Sequence, residues 1–379
     1  MATQQEAEAR KMRGQAIASV EANVRRIDQN ECRVKSQSGN WEYTVLRTEL
    51  GWNCSCPDFA FRQEECKHIF AVELSLELRR RIENSKRVMP LDFQSCLCCG
   101  SESIVRDGIL HNKSGDIQRF SCKSCGKRFT HNLGFEHMRA TPEAITQAMQ
   151  LYFTGESLRN VQKFLRLQGV NVSHVAILKW IRKYVGLMQK YLDQITPQVS
   201  DTWRADELYV KVKGDMKYLF AMMDDESRFW IAQQVSNFKE NTNATQLFRK
   251  AKETAGKEPK TLITDGLRTY HMASAFEFPH TAHIREIQLT GTTHNNKMEW
   301  MNGEIRDREK VMRGLKRTDT SILKGLQVYH NFIRPHEGLN GATPADRAGI
   351  KIEGDNKWLT IIQNATHKQR ETLSDRETN

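Results

Sequence analysis

Three acidic residues stand at positions from which their carboxylates can meet. Asp206 lies in a run of alternating polar and apolar residues, Asp265 directly follows a short apolar run, and Glu299 lies in a segment with helical spacing. The intervals between them contain 58 and 33 residues. Oxygen ligands suit Mg²⁺, and two such ions promote in-line phosphoryl displacement. The set therefore predicts a centre for two Mg²⁺ or Mn²⁺ ions.

Basic residues follow Glu299 along the same predicted helix. Arg306 lies seven residues after Glu299, which is two helical turns, so both side chains share one face. Lys310 and Arg313 continue that stripe and are predicted to contact nucleic-acid phosphates. A second stripe is apolar and is predicted to pack inward; it consists of Met298, Met301, Ile305, Met312 and Leu315.

A first thiol-rich set predicts a zinc site. Cys54 and Cys56 are separated by nine residues from Cys66 and His68. Three thiolates and one imidazole form a tetrahedral set that suits Zn²⁺. The Cys-x-Cys and Cys-x-His order, after three strand-like runs and before a helical one, resembles the SWIM zinc finger. The alternative is three buried, reduced cysteines near an unrelated histidine.

A second set consists of two CxxCG knuckles. They contribute Cys96 with Cys99 and, 22 residues later, Cys122 with Cys125. The knuckles and the partly alternating residues between them resemble a zinc ribbon. A Cys96 and Cys98 pairing is the alternative in the first knuckle, although the matching glycines favour Cys99. Seven of the nine cysteines thus bind two structural zinc ions, and Cys32 and Cys98 remain as bystanders.

Charge and composition limit the class of protein. The 379 residues carry a net charge of +11, and residues 86–200 alone hold 16 basic against 8 acidic side chains. A basic surplus makes a polyanionic partner plausible. No apolar run has the roughly 18 residues that a membrane span needs, and the N-terminal residues lack a secretory signal. We expect a cytoplasmic protein that does not bind membranes.

The basic segment contains three predicted helices. Thr141, Ser157 and Ser173 are hydroxyl N-caps at the starts of these helices. The third helix has an apolar stripe, and its other face carries Lys179, Arg182 and Lys183. A short helix, a turn and a cationic helix resemble a helix-turn-helix that reads the major groove of DNA. A plain three-helix bundle with a solvated face is the alternative.

The predicted fold class is multidomain α/β. Three meandering strands, a helix, a strand, a helix, another strand and a closing helix are the order expected of an RNase H-like core with a mixed sheet and flanking helices. Two small zinc modules and a helix-turn-helix precede it. The predicted domains are the SWIM-like module at 1–85, the zinc ribbon at 90–133, the helix-turn-helix region at 140–195, the catalytic core at 200–349 and a polar C-terminal tail at 350–379.

Several motifs carry a family resemblance. They are Trp203–Val212 (WRADELYVKV), Ile263–Gly266 (ITDG), Asn295–Glu299 (NNKME), Val311–Lys316 (VMRGLK), Tyr329–His336 (YHNFIRPH) and Thr343–Ala345 (TPA). Together they resemble the DDE transposases of prokaryotic insertion sequences, in particular the group named for insertion sequence six. The resemblance implies that Asp206, Asp265 and Glu299 are the metal ligands and that Arg306 is their basic partner. Glu207 is left out because neighbouring strand residues point to opposite faces.

The resemblance also implies an activity and partners. A transposase of this kind binds the ends of its mobile element as a homo-oligomer on double-stranded DNA, cleaves their 3′ ends and joins them to target DNA. It would lie with the nucleoid of a prokaryotic host. The sequence contains no GxxxxGK[ST] motif, so we expect no nucleotide cofactor. The alternatives are a domesticated DNA-binding regulator and an RNase H-like nuclease without strand transfer.

Overall fold

The computed structural model describes residues 4–28, 30–37, 39, 41–49, 51–83, 86–112, 115–285, 296–312, 315 and 321–377. The chain divides into two compact units, Met1–Ser85 and Lys86–Asn379. Among the helices that the structure describes, none combines the length and apolar character that crossing a membrane requires.

The first unit is a small sheet with helices around a core of its own. Its elements are α1 (Gln4–Ala18), β1 (Val24–Arg26), β2 (Glu31–Lys35), β3 (Glu42–Thr48), β4 (Gly51–Cys54), α2 (Pro57–Arg62) and α3 (Lys67–Glu83). The four strands pair in chain order and are antiparallel. α3 packs against this sheet and α1, and Val34, Val45 and Ile69 are buried between them. The thiols of the first zinc set belong to the same core.

The second unit begins with a short strand and a three-stranded ribbon, which are followed by three helices. These elements are β5 (Lys86–Val88), β6 (Ile104–Asn112), β7 (Gly115–Cys122), β8 (Arg128–Thr130), α4 (Pro142–Thr154), α5 (Leu158–Leu167) and α6 (His174–Leu192). Thr141, Ser157 and Ser173 accept backbone hydrogen bonds at the starts of α4, α5 and α6. The three N-caps predicted from the sequence are thereby confirmed.

A five-stranded sheet with its flanking helices forms the rest of the unit. The elements are β9 (Thr202–Val212), β10 (Asp215–Asp224), β11 (Trp230–Ser236), α7 (Asn241–Ala255), β12 (Thr261–Ile263), α8 (Arg268–Glu277), β13 (Ala282–Ile284), α9 (Asn296–Met312), α10 (Ser321–Val328), α11 (Pro344–Arg347), β14 (Ile350–Ile352) and α12 (Lys357–Glu377). The strand order is β11-β10-β9-β12-β13. β9, β10 and β11 are antiparallel, whereas β12 and β13 run parallel to β9. This is the RNase H-like arrangement, which confirms the predicted fold class.

Helix α9 packs against β9 through its apolar stripe. Met298, Met301 and Ile305 are buried, as the sequence predicts, and so is Leu315, which forms an isolated bridge with Val212. The side chain of Met312 lies outside the described residues. The buried stripe fixes which face of α9 points away from the core.

The segment Tyr329–His336 has a structural role in this fold. Residues Tyr329–Ile333 form a π-helical turn after α10. The side chain of Asn331 accepts a hydrogen bond from the backbone N–H of Trp230 at 2.8 Å and donates one to the Trp230 carbonyl at 3.0 Å. His330 and His336 are buried, and burial lowers the pKa of both imidazoles, to about 3 and about 4. They are therefore neutral packing residues at neutral pH.

Residues 350–377 do not form the polar tail that the sequence predicts at 350–379. β14 pairs in parallel with β5, and α12 packs against α4 and α6. Trp358 is buried, stacks on Phe153 and donates a hydrogen bond to Gln150. Ile361 and Ile362 are also buried. A few large apolar side chains on one face are enough to dock an otherwise polar helix.

Candidate active site and zinc sites

The two aspartates come together because of the register of two parallel strands. β12 pairs with β9 so that Ile263 lies opposite Arg204. If this register is continued by two residues, it places Asp265 beside Asp206. β12 ends at Ile263, so Asp265 lies just beyond the carboxyl end of the strand that pairs with β9. This convergence at the carboxyl end of a strand is the one that the sequence predicts.

Glu207 also belongs to this acidic group, contrary to its exclusion on the basis of the sequence. One carboxylate oxygen from each of Asp206, Glu207 and Asp265 lies within 4.8 Å of the others. The alternation itself holds, because Asp206 contacts α9 while Glu207 contacts α8. The carboxylate of Glu207 nevertheless lies close to those of both aspartates.

Hydrogen bonds fix the orientation of both aspartates. Oδ2 of Asp206 accepts from the side-chain Nδ2 of Asn302 at 2.9 Å, and Oδ1 accepts from the backbone N–H of Glu207 at 2.9 Å. Oδ1 of Asp265 accepts from the backbone N–H of Leu267 at 3.1 Å. Asn302 lies three residues after Glu299 on α9, a spacing that could have indicated its place beside the acids.

Asp206 and Asp265 hold their protons more tightly than ordinary carboxyls do. Burial, assisted by the negative charge of Glu207, raises the pKa of Asp206 to about 6. Burial and the same charge also raise the pKa of Asp265. A divalent cation relieves this repulsion, so the donor set fits a hard metal ion.

Glu299 lies outside the compact acidic group. Its side chain is exposed on the first turns of α9, one turn before Asn302. Arg306 and Lys310 are also exposed on α9, and Lys310 pairs with Asp307 at 2.9 Å. Arg313, the last residue of the predicted basic stripe, lies outside the described residues.

An ion-pair network fixes the start of α9. Asp225, just after β10, accepts from the guanidinium of the buried Arg204 at 2.5 Å and from the ammonium of Lys297 at 2.9 Å. Lys297 also donates to the backbone carbonyl of Asp225 at 2.8 Å. Arg204 lies two residues before Asp206, and Lys297 two before Glu299. The network therefore ties the strand that carries one predicted ligand to the helix that carries another.

The first zinc set is a buried cluster in the first unit. Cys54, Cys56, Cys66 and His68 each offer a ligand atom within 4.8 Å of the others. Nδ1 of His68 lies 3.8 Å from Sγ of Cys54 and 3.9 Å from Sγ of Cys66. Tetrahedral zinc with Zn–S bonds of about 2.3 Å places its ligand atoms about 3.8 Å apart. The hydrogen bond from Cys54 lowers the pKa of Cys66 to about 4, which favours the thiolate that zinc needs.

The second zinc set joins the two knuckles of the ribbon. Sγ of Cys96 lies 3.6 Å from that of Cys125, and Sγ of Cys99 lies 3.6 Å from that of Cys122. Cys98 is exposed and outside the group, so the structure supports Cys99 over Cys98 as the second thiol of its knuckle. The other unassigned thiol, Cys32, is buried in the core of the first unit.

The predicted DNA-reading helix has one free face. Lys179, Arg182 and Lys183 are exposed on α6, and Nζ of Lys183 lies 4.9 Å from the centre of the Tyr184 ring. The opposite face of α6 packs against α10 and α12. The cationic side chains are therefore accessible on a helix whose opposite face is packed against other helices.

Comparisons with known proteins match two parts of the chain. A family model described as a DDE domain (DDE_Tnp_IS240) matches residues 200–336, and one described as a SWIM zinc finger matches residues 43–77. The transposase for insertion sequence-like element IS431mec of Staphylococcus aureus is 25% identical over 225 residues, covering 58% of this chain and 98% of the relative. The chain thus contains a DDE domain and a SWIM zinc finger, and it is similar to insertion-sequence transposases. The SWIM match lies in the first unit and the DDE match in the second.

Other similar proteins share 25% of their residues with this chain or fewer. The transposase for insertion sequence element IS257 in transposon Tn4003, from Staphylococcus aureus, is also 25% identical over 225 residues, covering 58% of this chain and 98% of the relative. Among solved structures, the HTLV-2 integrase catalytic core domain in complex with magnesium is 19% identical, covers 41% of this chain and 98% of that one, and gives a TM-score of 0.30. The BIV integrase catalytic core domain is 14% identical, covers 39% and 93%, and gives a TM-score of 0.32.

Proposed function

We propose that this transposase binds the ends of its own mobile element and catalyses Mg²⁺-dependent 3′-end cleavage and strand transfer into target DNA. Asp206, Asp265 and Glu299 bind two metal ions, and Arg306 contacts the DNA phosphates beside them. The observation that carries the proposal is the meeting of Asp206 and Asp265 at the open end of β12, next to α9.

The positions of the side chains on α9 support a role for Glu299. Asn302 donates to Asp206, and Glu299 lies one turn earlier, next to Asn302 on the helix surface. Arg306 and Lys310 lie on the same exposed side of α9. A strand of DNA lying along this side would bring its phosphates to the acidic group.

Each group has a defined task in the reaction. Asp206, Asp265 and Glu299 would hold Mg²⁺ ions, which would supply activation of a water molecule or a 3′-hydroxyl and stabilisation of the leaving oxygen in an in-line displacement. Asn302 and the backbone N–H of Glu207 hold the Asp206 carboxylate in a fixed orientation. Arg306 attracts the phosphates of the strand being cut.

The other modules recognise the DNA ends. The cationic face of α6, with Lys179, Arg182 and Lys183, enters a groove, and the ribbon with its zinc ion extends the basic surface of residues 86–200. The SWIM finger holds a second structural zinc ion and contacts DNA or a partner. Joining two ends requires at least two copies of the chain, so the active form is a homo-oligomer on double-stranded DNA.

A single assay tests this proposal against its alternatives. Zinc-loaded protein is incubated with Mg²⁺, a labelled candidate element end and supercoiled target DNA. Joined products support the transposase. Nicks alone indicate a nuclease without strand transfer, and binding without either product indicates a regulator; either of these results overturns the proposal.

The assay includes a matched control for the loss of one negative charge. Asp206→Asn removes a predicted ligand, whereas Asp355→Asn removes an exposed acid that lies outside the acidic group. Joining is expected to be lost in the first and retained in the second. Equal activity of the two variants would contradict the assignment of Asp206.

A further inference from the structure

The carboxylate of Glu207 is held by two donors at the edge of the acidic group. Oε1 pairs with the ammonium of Lys239, and Oε2 accepts from the hydroxyl of Tyr270 at 2.9 Å. Tyr270 is fully buried between Phe220 and Phe248. Only 6% of the Glu207 side chain is exposed. Its carboxylate is thus fixed within 4.8 Å of the two aspartates and has little freedom to turn away.

The ammonium of Lys239 is held equally firmly. It lies 5.0 Å from the centre of the Tyr218 ring and 6.0 Å from that of Tyr209, and the two tyrosine hydroxyls lie 3.1 Å apart. Aromatic faces attract a cation at such distances. The side chain of Lys239 is 32% exposed, so the positive end of the pair faces the solvent more than the negative end does.

This ion pair influences the proposed metal site because it lies beside Asp206 and Asp265. Glu207 adds a negative charge beside Asp206 and Asp265, with a carboxylate oxygen within 4.8 Å of one oxygen of each. Lys239 forms an ion pair with Glu207 and offsets part of this charge. A dication in the site interacts with both charges, with opposite signs.

We propose that Glu207 and Lys239 form a charge pair that sets the cation affinity of the Asp206–Asp265 site. Glu207 strengthens cation binding, and Lys239 weakens it to a working level. Lys239 and Tyr270 hold the two oxygens of Glu207, and in this proposal Glu207 acts through its charge, as a positioning residue. The inference rests on the proposed function, because it takes Asp206 and Asp265 as metal ligands.

Two variants that are expected to shift the Mn²⁺ affinity in opposite directions test the inference. Mn²⁺ binding to the zinc-loaded full chain is measured by titration calorimetry, without DNA. Glu207→Gln leaves Lys239 unpaired and is expected to weaken Mn²⁺ binding about tenfold, whereas Lys239→Met leaves Glu207 unpaired and is expected to tighten it several-fold. The double variant is expected to bind within about twofold of the wild type, because both charges are gone.

A matched control comes from a second ion pair, which joins two helices of the same unit. Arg249 of α7 and Glu277 of α8 pair at 2.8 Å, and the Glu277 side chain is nearly buried. Glu277→Gln and Arg249→Met are expected to leave Mn²⁺ binding unchanged. A general loss of packing would weaken binding in every variant, so it is distinguished from the charge effect by its sign.

The outcomes separate the inference from the proposed function. If Glu207→Gln and Lys239→Met shift the affinity in the same direction, or not at all, the inference is overturned while the metal site stands. If Asp206→Asn binds Mn²⁺ as tightly as the wild type, the ligand assignment itself is wrong and the proposed function fails with it.

Discussion

Asn302 of α9 donates a hydrogen bond of 2.9 Å from its side-chain amide to Oδ2 of Asp206 on the central strand. Asn302 is buried, and its own Oδ1 atom has no partner among the described residues. This contact connects the helix that carries Glu299 directly to a carboxylate of the acidic group. The geometry of the proposed site therefore depends on a neutral side chain as well as on the acids.

Replacing Asn302 should impair the acidic group without removing a ligand. Asn302→Ala deletes a hydrogen bond that favours the ionised form of Asp206, so the pKa of Asp206 should rise above about 6. The acid limb of Mg²⁺-dependent activity is expected to move to higher pH, with at least a tenfold loss of rate at pH 6. A pH–rate profile measures this. An unchanged profile would show that the contact does not control Asp206.

The raised pKa of Asp206 predicts how stability varies with pH. In the metal-free protein the proton is bound more tightly in the folded state than in the unfolded chain, so this group stabilises the fold most below about pH 4. That contribution is lost as the pH rises through about 6. Mn²⁺ binds the ionised carboxylate and is expected to raise the thermal midpoint more at pH 8 than at pH 5. Equal shifts at both values would contradict the assignment.

Removal of the second aspartate should separate binding from chemistry. Asp265→Asn preserves the shape of the side chain and its hydrogen bond from Leu267 but removes the charge that a metal ion needs. DNA affinity is expected to stay within about twofold, while strand transfer falls at least a hundredfold. Gel-shift and joining assays measure the two properties on one preparation. An Asp265→Asn protein that joins ends at a normal rate would remove this assignment.

The zinc content should follow the assignment of seven of the nine cysteines to two zinc sites. Elemental analysis of the purified chain is expected to give two zinc atoms. Cys66→Ser and Cys122→Ser should each lose one, because each removes a buried thiol from a four-ligand set. Cys98→Ser is the control and should retain two, since Cys98 lies outside both sets. A wild-type content far from two would overturn the partition.

The exposed face of α6 predicts a position-dependent effect on DNA binding. Arg182→Ala removes a cation from this face and is expected to weaken binding to element ends and to reduce the salt slope by about one. Lys190→Ala removes a cation from the last turn of the same helix, beside α12, and should change little. Binding measured across a salt series compares them. Equal effects would indicate a diffuse basic surface instead of a reading helix.

The sequence predicts the active site only in part. Residue spacing predicts which strands and helices form better than it predicts where each one ends. The alternation in β9 and the apolar run before Asp265 predict that the two aspartates converge, and the strand register shows how. The same alternation places Glu207 on the other face. The alternation does not show where β12 stops, which depends on tertiary pairing, or that Glu207 and the two aspartates lie close together.

The C-terminal residues show a second limit of the same kind. Trp358, Ile361, Ile362 and Ala365 recur at helical spacing, so a docked helix could have been predicted. The surrounding polar residues obscure that stripe in the overall composition. The surface that receives it, formed by α4 and α6, exists only in the folded unit. A stripe of only four apolar residues shows that a helix can pack against the protein, but it does not identify the surface that the helix packs against.

The pairing of β5 with β14 has a consequence for synthesis of the protein. Lys86 and Ile350 lie near opposite ends of the second unit, and their strands are hydrogen-bonded in parallel. A growing chain can therefore form the ribbon and the central sheet early, but this contact must wait until β14 has left the ribosome. A product that terminates before Ile350 would lack the closing strand and expose the surfaces that α12 covers, which favours its removal by quality-control proteases.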